Sequence, residues 1–341
     1  MNVQQGLRSR MPSFCRKSVL GLATLATATM TCFFLFLTGC TRKPPLRIGI
    51  GIWPGYEFLY LAQEKDFFKE EGADVEIVEL QSPTDIRHAF EEGHIDIMAT
   101  TVVEVLVVRD QTKLKPVIFT VLDYSSGADV VLGQSPIRGL AQLKGKKVAI
   151  EAGSLNGYLL SEGLKQNGLK LTDVTLVNEN QVAMVKSFED RKVDAVVTFP
   201  PFSSNLLKSG KAKILFSSKA IPMKIVDVLS IDQSKIQSRG ADLAAVSRAF
   251  SKAQDYAKNH PDGYALMAAR EGVAAREFIE TLKSDITMVG RQNIGNAFVP
   301  GGLIEGVIAE VGKTLVETKE ITKTCDPKQV YLQQDLSDAK P

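Results

Sequence analysis

The sequence predicts an α/β protein made of two similar lobes, each built around a mostly parallel sheet. From residue 46 onward, short apolar runs alternate with segments of helical spacing, the pattern of consecutive strand–helix–strand units. The pattern starts again about 100 residues later, a period too long for a solenoid. A composition of 44% hydrophobic and 23% charged residues is that of a globular protein, and 341 residues exceed one ordinary domain.

The elements of the first lobe follow from this alternation. We predict strands at residues 46–52, 74–80, 95–99 and 116–122, separated by helices at 56–71, 83–92 and 102–109. The helix at 83–92 has a typical start, because Ser82 can cap free N–H groups and Pro83 fits the first turn.

An internal repeat predicts the second lobe. FEEGHIDIMAT at 90–100 aligns with FEDRKVDAVVT at 188–198. Upstream, RIGI at 47–50 aligns with KVAI at 147–150, and VEIV at 75–78 aligns with VTLV at 174–177. Two lobes of similar plan explain this spacing better than a chance match of short strands.

The rest of the chain is predicted to return to the first lobe. After strands at 212–216 and 225–231, helical spacing covers 242–259, 261–270, 274–284 and 303–317. Helices without new strands suggest that this part covers existing structure. The polar tail, 318–341, is expected to be loosely held.

The first 39 residues have the composition of an export signal. Four basic residues and no acidic one precede an uncharged, strongly apolar run. The run ends LTGC at 37–40, which resembles a bacterial lipobox, in which Cys40 would accept the lipid. The alternative is an uncleaved signal anchor, since about 20 apolar residues can span a bilayer. We predict a signal peptide at 1–39 and a lipidated tether at 40–45 that holds the protein at a membrane surface.

The charge balance is close to neutral. The chain has 41 basic and 39 acidic side chains, and loss of the four basic residues in 1–39 leaves 37 against 39. Nothing in this balance indicates a nucleic-acid partner.

Known catalytic and cofactor motifs are not found. The sequence has no G-x-x-x-x-G-K-[ST] loop, GIGIWPG at 49–55 misses the dinucleotide fingerprint, and the three histidines are not in H-E-x-x-H spacing. We therefore expect neither an enzyme nor a cofactor or metal site.

Six loops follow predicted strands, at the sheet edge where open α/β proteins bind ligands. They are rich in aromatic, hydroxyl and amide side chains and lie at 53–57, 100–101, 123–127, 151–156, 178–181 and 198–202. Each loop taken alone could be only a turn, a helix cap or part of the core. Together, they predict a cleft between the lobes.

Four segments carry a resemblance to a known family. They are IGIGIWPGYEFLYLAQEKDFFKEEG at 48–72, LDYSSGAD at 122–129, LKGKKVAIEAGSLNGYLL at 143–160 and KVDAVVTFPPF at 192–202. The sequence resembles the substrate-binding proteins of ABC transporters in the nitrate, sulfonate, taurine and thiamine-pyrimidine group, over residues 46–316. It departs from the group's pattern at Phe58, Asp66 and Phe199.

The resemblance implies a two-lobed periplasmic-binding-protein fold of type II topology, with a ligand cleft between the lobes. Crossovers are expected near 124–133 and 219–228, so that 46–128 and 225–317 form the first lobe and 129–224 the second. It implies a monomer in the periplasm or at the cell surface that gives a small molecule to an ABC permease and its ATPase. The implied binding residues are Trp53, Tyr56, Glu57, Thr100, Thr101, Asp123, Tyr124, Ser154, Asn156, Thr198 and Phe199.

The ligand class stays open at this point. The six loops contain Glu57, Asp123, Glu151 and Glu179 but no Lys or Arg, which favours a neutral or amine-bearing ligand over an anion. The resemblance favours anions and pyrimidines instead. Two other functions also remain open: a sensor input module that binds a ligand without transport, and an enzyme of the pyrimidine-precursor synthase branch.

Overall fold

The computed structural model describes residues 43–333. The predicted signal peptide, Cys40 and the tail beyond residue 333 lie outside the described residues. Within them, the chain has the mixed α/β fold with two sheets that the sequence predicts. The strands, in chain order, are β1 (Leu46–Ile50), β2 (Val75–Glu79), β3 (Ile97–Thr101), β4 (Pro116–Ser125), β5 (Val130–Gln134), β6 (Lys147–Ile150), β7 (Thr175–Asn178), β8 (Ala195–Thr198), β9 (Ala212–Ser217), β10 (Val226–Asp232) and β11 (Ile286–Met288).

Helices connect and cover these strands. They are α1 (Glu57–Glu64), α2 (Phe67–Glu70), α3 (Pro83–Glu91), α4 (Val102–Gln111), α5 (Leu155–Gln166), α6 (Gln181–Glu189), α7 (Phe202–Lys208), α8 (Gln233–Asn259), α9 (Pro261–Arg270), α10 (Ala275–Ser284), α11 (Arg291–Ala297) and α12 (Leu303–Glu317). None of those in the described range has the length and apolar character needed to cross a membrane.

The two sheets share one plan, which confirms the internal repeat. The first lobe holds the sheet β11-β4-β10-β3-β1-β2, and the second lobe holds β7-β6-β8-β5-β9. In the first lobe, β1 pairs in parallel with β2 and β3, and in the second lobe, β6 pairs in parallel with β7 and β8. Ile48 lies opposite Ile97 in the first sheet, and Val148 lies opposite Ala195 in the second.

The chain passes between the sheets twice, as the family resemblance implies. It leaves the first sheet after β4 and returns with β10, which runs antiparallel between β3 and β4. In the second sheet, β5 occupies the corresponding antiparallel position between β8 and β9. The passages at 126–129 and 218–225 therefore join the lobes.

A repeated aspartate fixes the start of the first strand in each lobe. Asp96 Oδ2 accepts the backbone N–H of Arg47 at 3.1 Å, and Asp194 Oδ2 accepts that of Lys147 at 2.9 Å. The aspartate that recurs in the repeat, in IDI at 95–97 and VDA at 193–195, therefore has a structural role.

The helix predicted at 56–71 is two helices in the structure. Asp66, between α1 and α2, has φ of 57°, a left-handed conformation that interrupts the helical path. Glycine adopts this conformation freely and aspartate tolerates it, so Asp66 can occupy this position.

The C-terminal part differs from prediction in four ways, the first being that the short helix α11 was not predicted. The helix predicted from residue 242 begins at Gln233, where the Asp232 side chain accepts from the N–H of Ser234. The three-residue strand β11, too short to show a period, pairs with β4. The described tail is held firmly: Tyr331 is buried and bridges to Ile118 of β4, because the tail contains apolar residues that pack on the first lobe.

Candidate functional site

A buried pocket lies between the two sheets, at the carboxyl ends of β1, β3 and β8. It encloses about 430 Å³ of empty space, part of it open to solvent. The antiparallel strand β10 begins at the same edge, and the passage into β5 ends there, so both lobes contribute side chains. The lining residues are Gly51, Ile52, Trp53, Tyr56, Gln81, Ser82, Pro83, Ile86, Ala99, Thr100, Thr101, Glu104, Asp129, Leu155, Phe199 and Asp227.

Aromatic rings form one wall of the pocket. Trp53 and Tyr56 of the first lobe lie 6.4 Å apart between ring centroids. Phe199 of the second lobe meets Trp53 edge to face at 6.0 Å. A wall of this kind can bury the apolar face of a small ligand or hold a cation against a ring.

Two hydrogen-bonded carboxyls lie next to this wall. Trp53 Nε1 donates to Asp123 Oδ1 at 3.2 Å, and the Tyr56 hydroxyl donates to Asp227 Oδ1. The carboxyls are neighbours because β4 and β10 pair with Asp123 opposite Asp227. Burial raises the pKa of Asp123 to about 7; burial and the adjacent Asp123 raise the pKa of Asp227.

Gly55 permits this arrangement. A Cβ at Gly55 would overlap the Asp123 carboxyl and lie 2.9 Å from Trp53 Nε1. The W-P-G-Y turn therefore needs glycine for the close approach of β4, in addition to its turn geometry.

Several buried polar atoms facing the pocket have no hydrogen-bond partner among the described residues. They are both carboxyl oxygens of Asp129, Oδ2 of Asp227 and Oγ1 of Thr100. Asp129 is only 1% exposed. Burial, with the nearby charge of Glu104, raises the pKa of Asp129 to about 7. The lining contains no Lys, Arg or His.

Two backbone-to-carboxylate contacts cross between the lobes beside the pocket. Glu104 Oε1 accepts the N–H of Leu155 at the start of α5 at 2.8 Å. Glu151 Oε1 accepts the N–H of Thr84 in the first turn of α3 at 3.0 Å. Each contact satisfies a free donor at a helix N-terminus, where a negative charge is favourable.

Five of the residues predicted to bind the ligand line the pocket: Trp53, Tyr56, Thr100, Thr101 and Phe199. Asp123 lies directly behind Trp53. Tyr124, on β4, pairs with Thr287 of β11 and does not line the pocket, and burial raises its pKa to about 12.

Three predicted residues of the second lobe hold its loops together. Ser154 caps α5 by accepting from the N–H of Asn156, whose Oδ1 accepts the N–H of Glu151 at 3.1 Å. Thr198 Oγ1 donates to Gln181 Oε1 at 2.8 Å. These side chains fix the loops around the pocket without lining it.

Glu57 is engaged elsewhere. It is fully buried, and its Oε2 accepts from Arg270 Nε of α9 at 2.9 Å. Burial outweighs the guanidinium and raises the pKa of Glu57 to about 7. Its partner lies within the first lobe, and Glu57 is not among the residues that line the pocket.

Sequence reasoning missed Glu104, Asp129 and Asp227. Asp129 stands in the LDYSSGAD segment, and its position directly after the passage between the sheets was the available signal. Asp227 lies in an apolar strand, and only the pairing of β10 with β4 brings it to the pocket. No group of three metal-ligating side chains occurs within the described part of the chain.

The chain belongs to the NMT1/THI5-like family, whose profile matches residues 53–264. A Brucella abortus protein provisionally named a binding protein is 22% identical over 91% of this chain and 97% of its own. A Haemophilus influenzae protein provisionally named a thiamine biosynthesis protein is 26% identical over 61% of this chain and 67% of its own.

The fold is that of periplasmic binding proteins. The crystal structure of the periplasmic aliphatic sulphonate binding protein SsuA from Escherichia coli superposes with a TM-score of 0.68. That likeness covers 84% of this chain and 92% of SsuA at 23% identity, so it concerns the architecture.

Proposed function

We propose that this chain is an extracytoplasmic solute-binding lipoprotein that captures a small polar organic molecule between its lobes and delivers it to an ABC importer. The observation that carries the proposal is the buried pocket between the lobes, whose wall presents unpartnered polar atoms beside aromatic rings. Buried polar atoms without partners are costly, and a ligand that supplies the missing hydrogen bonds removes that cost. The family and the periplasmic-binding-protein fold support the same function.

Capture would work by closure of the lobes about the two passages at 126–129 and 218–225. Trp53 of the first lobe and Phe199 of the second both line the pocket, so a ligand between them contacts both lobes. Such a ligand binds the closed form more tightly than the open form and shifts the population toward closure. The closed form would then dock on the permease.

A titration tests binding and closure together. Trp53 is the single tryptophan of the chain and lines the pocket, so intrinsic fluorescence reports directly on occupancy. We expect at least one compound from a panel of amines, pyrimidines, amino acids and sulfonates to change this fluorescence at saturable concentration. The radius of gyration in solution scattering should fall with the same midpoint. A panel that leaves both signals unchanged contradicts the proposal.

The membrane anchor has a separate test. Metabolic labelling with a fatty acid should mark the full-length protein, and Cys40→Ala should abolish the label. Labelling that survives this substitution contradicts lipidation at Cys40 and leaves solute binding unaffected.

A further inference from the structure

We infer that the ligand carries a positively charged nitrogen on a small ring or apolar body, with Asp129 as its counter-charge. The candidate ligands are therefore protonated amines and protonated nitrogen heterocycles. This inference rests on the proposed solute-binding function and adds the chemical class of the solute.

The first argument is the set of hydrogen bonds that the pocket leaves open. Asp129 presents two buried carboxyl oxygens without a hydrogen-bond partner among the described residues, whereas Asp227 is engaged by Tyr56 and by the neighbouring Asp123 carboxyl. An ionised carboxylate only accepts hydrogen bonds, so the missing partner must be a donor. An ammonium or ring N–H⁺ group supplies several donors at one point and forms charge-assisted bonds, which are the strong ones.

The second argument is charge. The titratable groups facing Asp129 and Asp227 are Tyr56 of the loop before α1, Glu104 of α4 and Asp123 of β4, and none of these is basic. Glu104 already uses its oxygens on Thr101 and Leu155. A bound anion would meet several carboxyls and no cation, whereas a cation compensates the charge that the pocket buries.

The third argument is the apolar character of the pocket. The lining combines aromatic and aliphatic side chains with a few polar ones, which suits a ring or apolar body that carries one polar group. Trp53 of the first lobe, Phe199 of the second and Asp129 line the same pocket, so a ring against the aromatic side chains shares that space with the carboxyl. Aromatic faces also attract cations directly.

One alternative uses the buried carboxyls in their protonated form. Protonated Asp129 and Asp227 would donate hydrogen bonds and could hold a sulfonate. For ligands of similar shape, ionised carboxyls should bind the cation most tightly, whereas protonated carboxyls should bind the sulfonate most tightly. Measuring the order of affinity therefore distinguishes the two alternatives.

The experiment compares benzylammonium, benzyl alcohol and phenylmethanesulfonate by Trp53 fluorescence and calorimetry at about pH 8. We expect the cation to bind at least about 10-fold more tightly than the alcohol, and the sulfonate to bind most weakly. Tightest binding by the sulfonate, or no binding of benzylammonium, would overturn the inference. The solute-binding function is judged independently, by the broader panel described above.

Two variants test whether the Asp129 carboxylate causes the preference for a cationic ligand. Asp129→Asn keeps the shape of the side chain and should weaken benzylammonium about 10- to 100-fold, while the affinity for benzyl alcohol changes less than about threefold. Asp255→Asn, an exposed carboxyl on α8, is the matched control and should change neither affinity. Equal losses for both ligands in Asp129→Asn would indicate a structural role and contradict the inference. Far-UV circular dichroism of the two variants establishes that both are folded.

Discussion

Glu104 of the first lobe accepts the backbone N–H of Leu155 of the second lobe at 2.8 Å. Its other carboxyl oxygen accepts the N–H of Thr101 at 2.9 Å and so caps α4. One fully buried side chain therefore satisfies a helix terminus in each lobe. The contact with Leu155 requires the lobes to be together, so its free energy favours the closed arrangement.

Glu104→Gln is expected to weaken closure without unfolding the protein. The amide has one acceptor oxygen where the carboxylate has two, so either the Thr101 or the Leu155 N–H loses its partner. A buried donor without a partner costs about 1–3 kcal/mol, and ligand affinity should fall roughly 5- to 100-fold. Titration of Trp53 fluorescence measures the change. An affinity equal to that of Asp255→Asn would show that the contact does not favour closure.

The stability of the ligand-free protein should depend on Asp129 and pH. The folded-state pKa of Asp129 is raised to about 7 from a usual value of 3.8, so the folded state retains a proton that the unfolded state releases. The contribution of Asp129 to the free energy of unfolding is therefore fully present below its unfolded-state pKa. It is lost as the pH rises through the folded-state pKa of about 7. Asp129→Asn should therefore be about 4 kcal/mol more stable than the wild type at about pH 8 and nearly equal at about pH 4.

Urea unfolding of both proteins across this pH range gives the difference directly. The low pKa of Asp96, held down by hydrogen bonds to Arg47 and Lys235, is common to both proteins and cancels. A stability difference independent of pH would exclude burial of an ionised Asp129 as its cause.

Gly55→Ala is expected to disturb the pocket more than the fold. The new methyl group would overlap the Asp123 carboxyl, which must then move away from Trp53 Nε1. We expect a shifted emission maximum of Trp53 and at least about 10-fold weaker ligand binding. The control is Gly240→Ala in α8, where a Cβ meets no atom within 4 Å; it should stabilise the protein by about 0.5–1 kcal/mol and leave emission unchanged.

Arg270→Gln is expected to reduce stability and spare binding. The substitution leaves Glu57 buried without its cation, which typically costs about 3–5 kcal/mol. The double variant Glu57→Gln, Arg270→Gln should recover part of this loss because the buried charge is gone. Thermal unfolding and Trp53 titration of the three variants decide the point. A selective loss of affinity in Glu57→Gln would return Glu57 to the binding site.

The internal repeat in the sequence predicted corresponding strands in the two lobes. The alignment of 90–100 with 188–198 predicted β3 and β8 and placed Asp96 and Asp194 in matching positions. The break at Asp66 was not predicted, because the helical spacing of residues 56–71 continues through it. That spacing does not reveal the left-handed conformation of a single residue.

The site was predicted less completely, for two physical reasons. Glu57 follows Tyr56 in the W-P-G-Y-E segment, but successive side chains of a helix point about 100° apart, and only Tyr56 faces the pocket. Asp227 reaches Asp123 through a strand register between segments about 100 residues apart, which no local pattern specifies.

The path of the chain through the sheets has a consequence for how the protein is made. Strand β10 lies in the middle of the first sheet, between β3 and β4, yet it is synthesised after all five strands of the second sheet. Until residue 232 has emerged, β3 and β4 each lack the neighbour that β10 provides. The second sheet, by contrast, is one uninterrupted segment from Val130 to Ser217. The first lobe is therefore completed after the second. A chain truncated before β10 lacks a central strand of the first sheet.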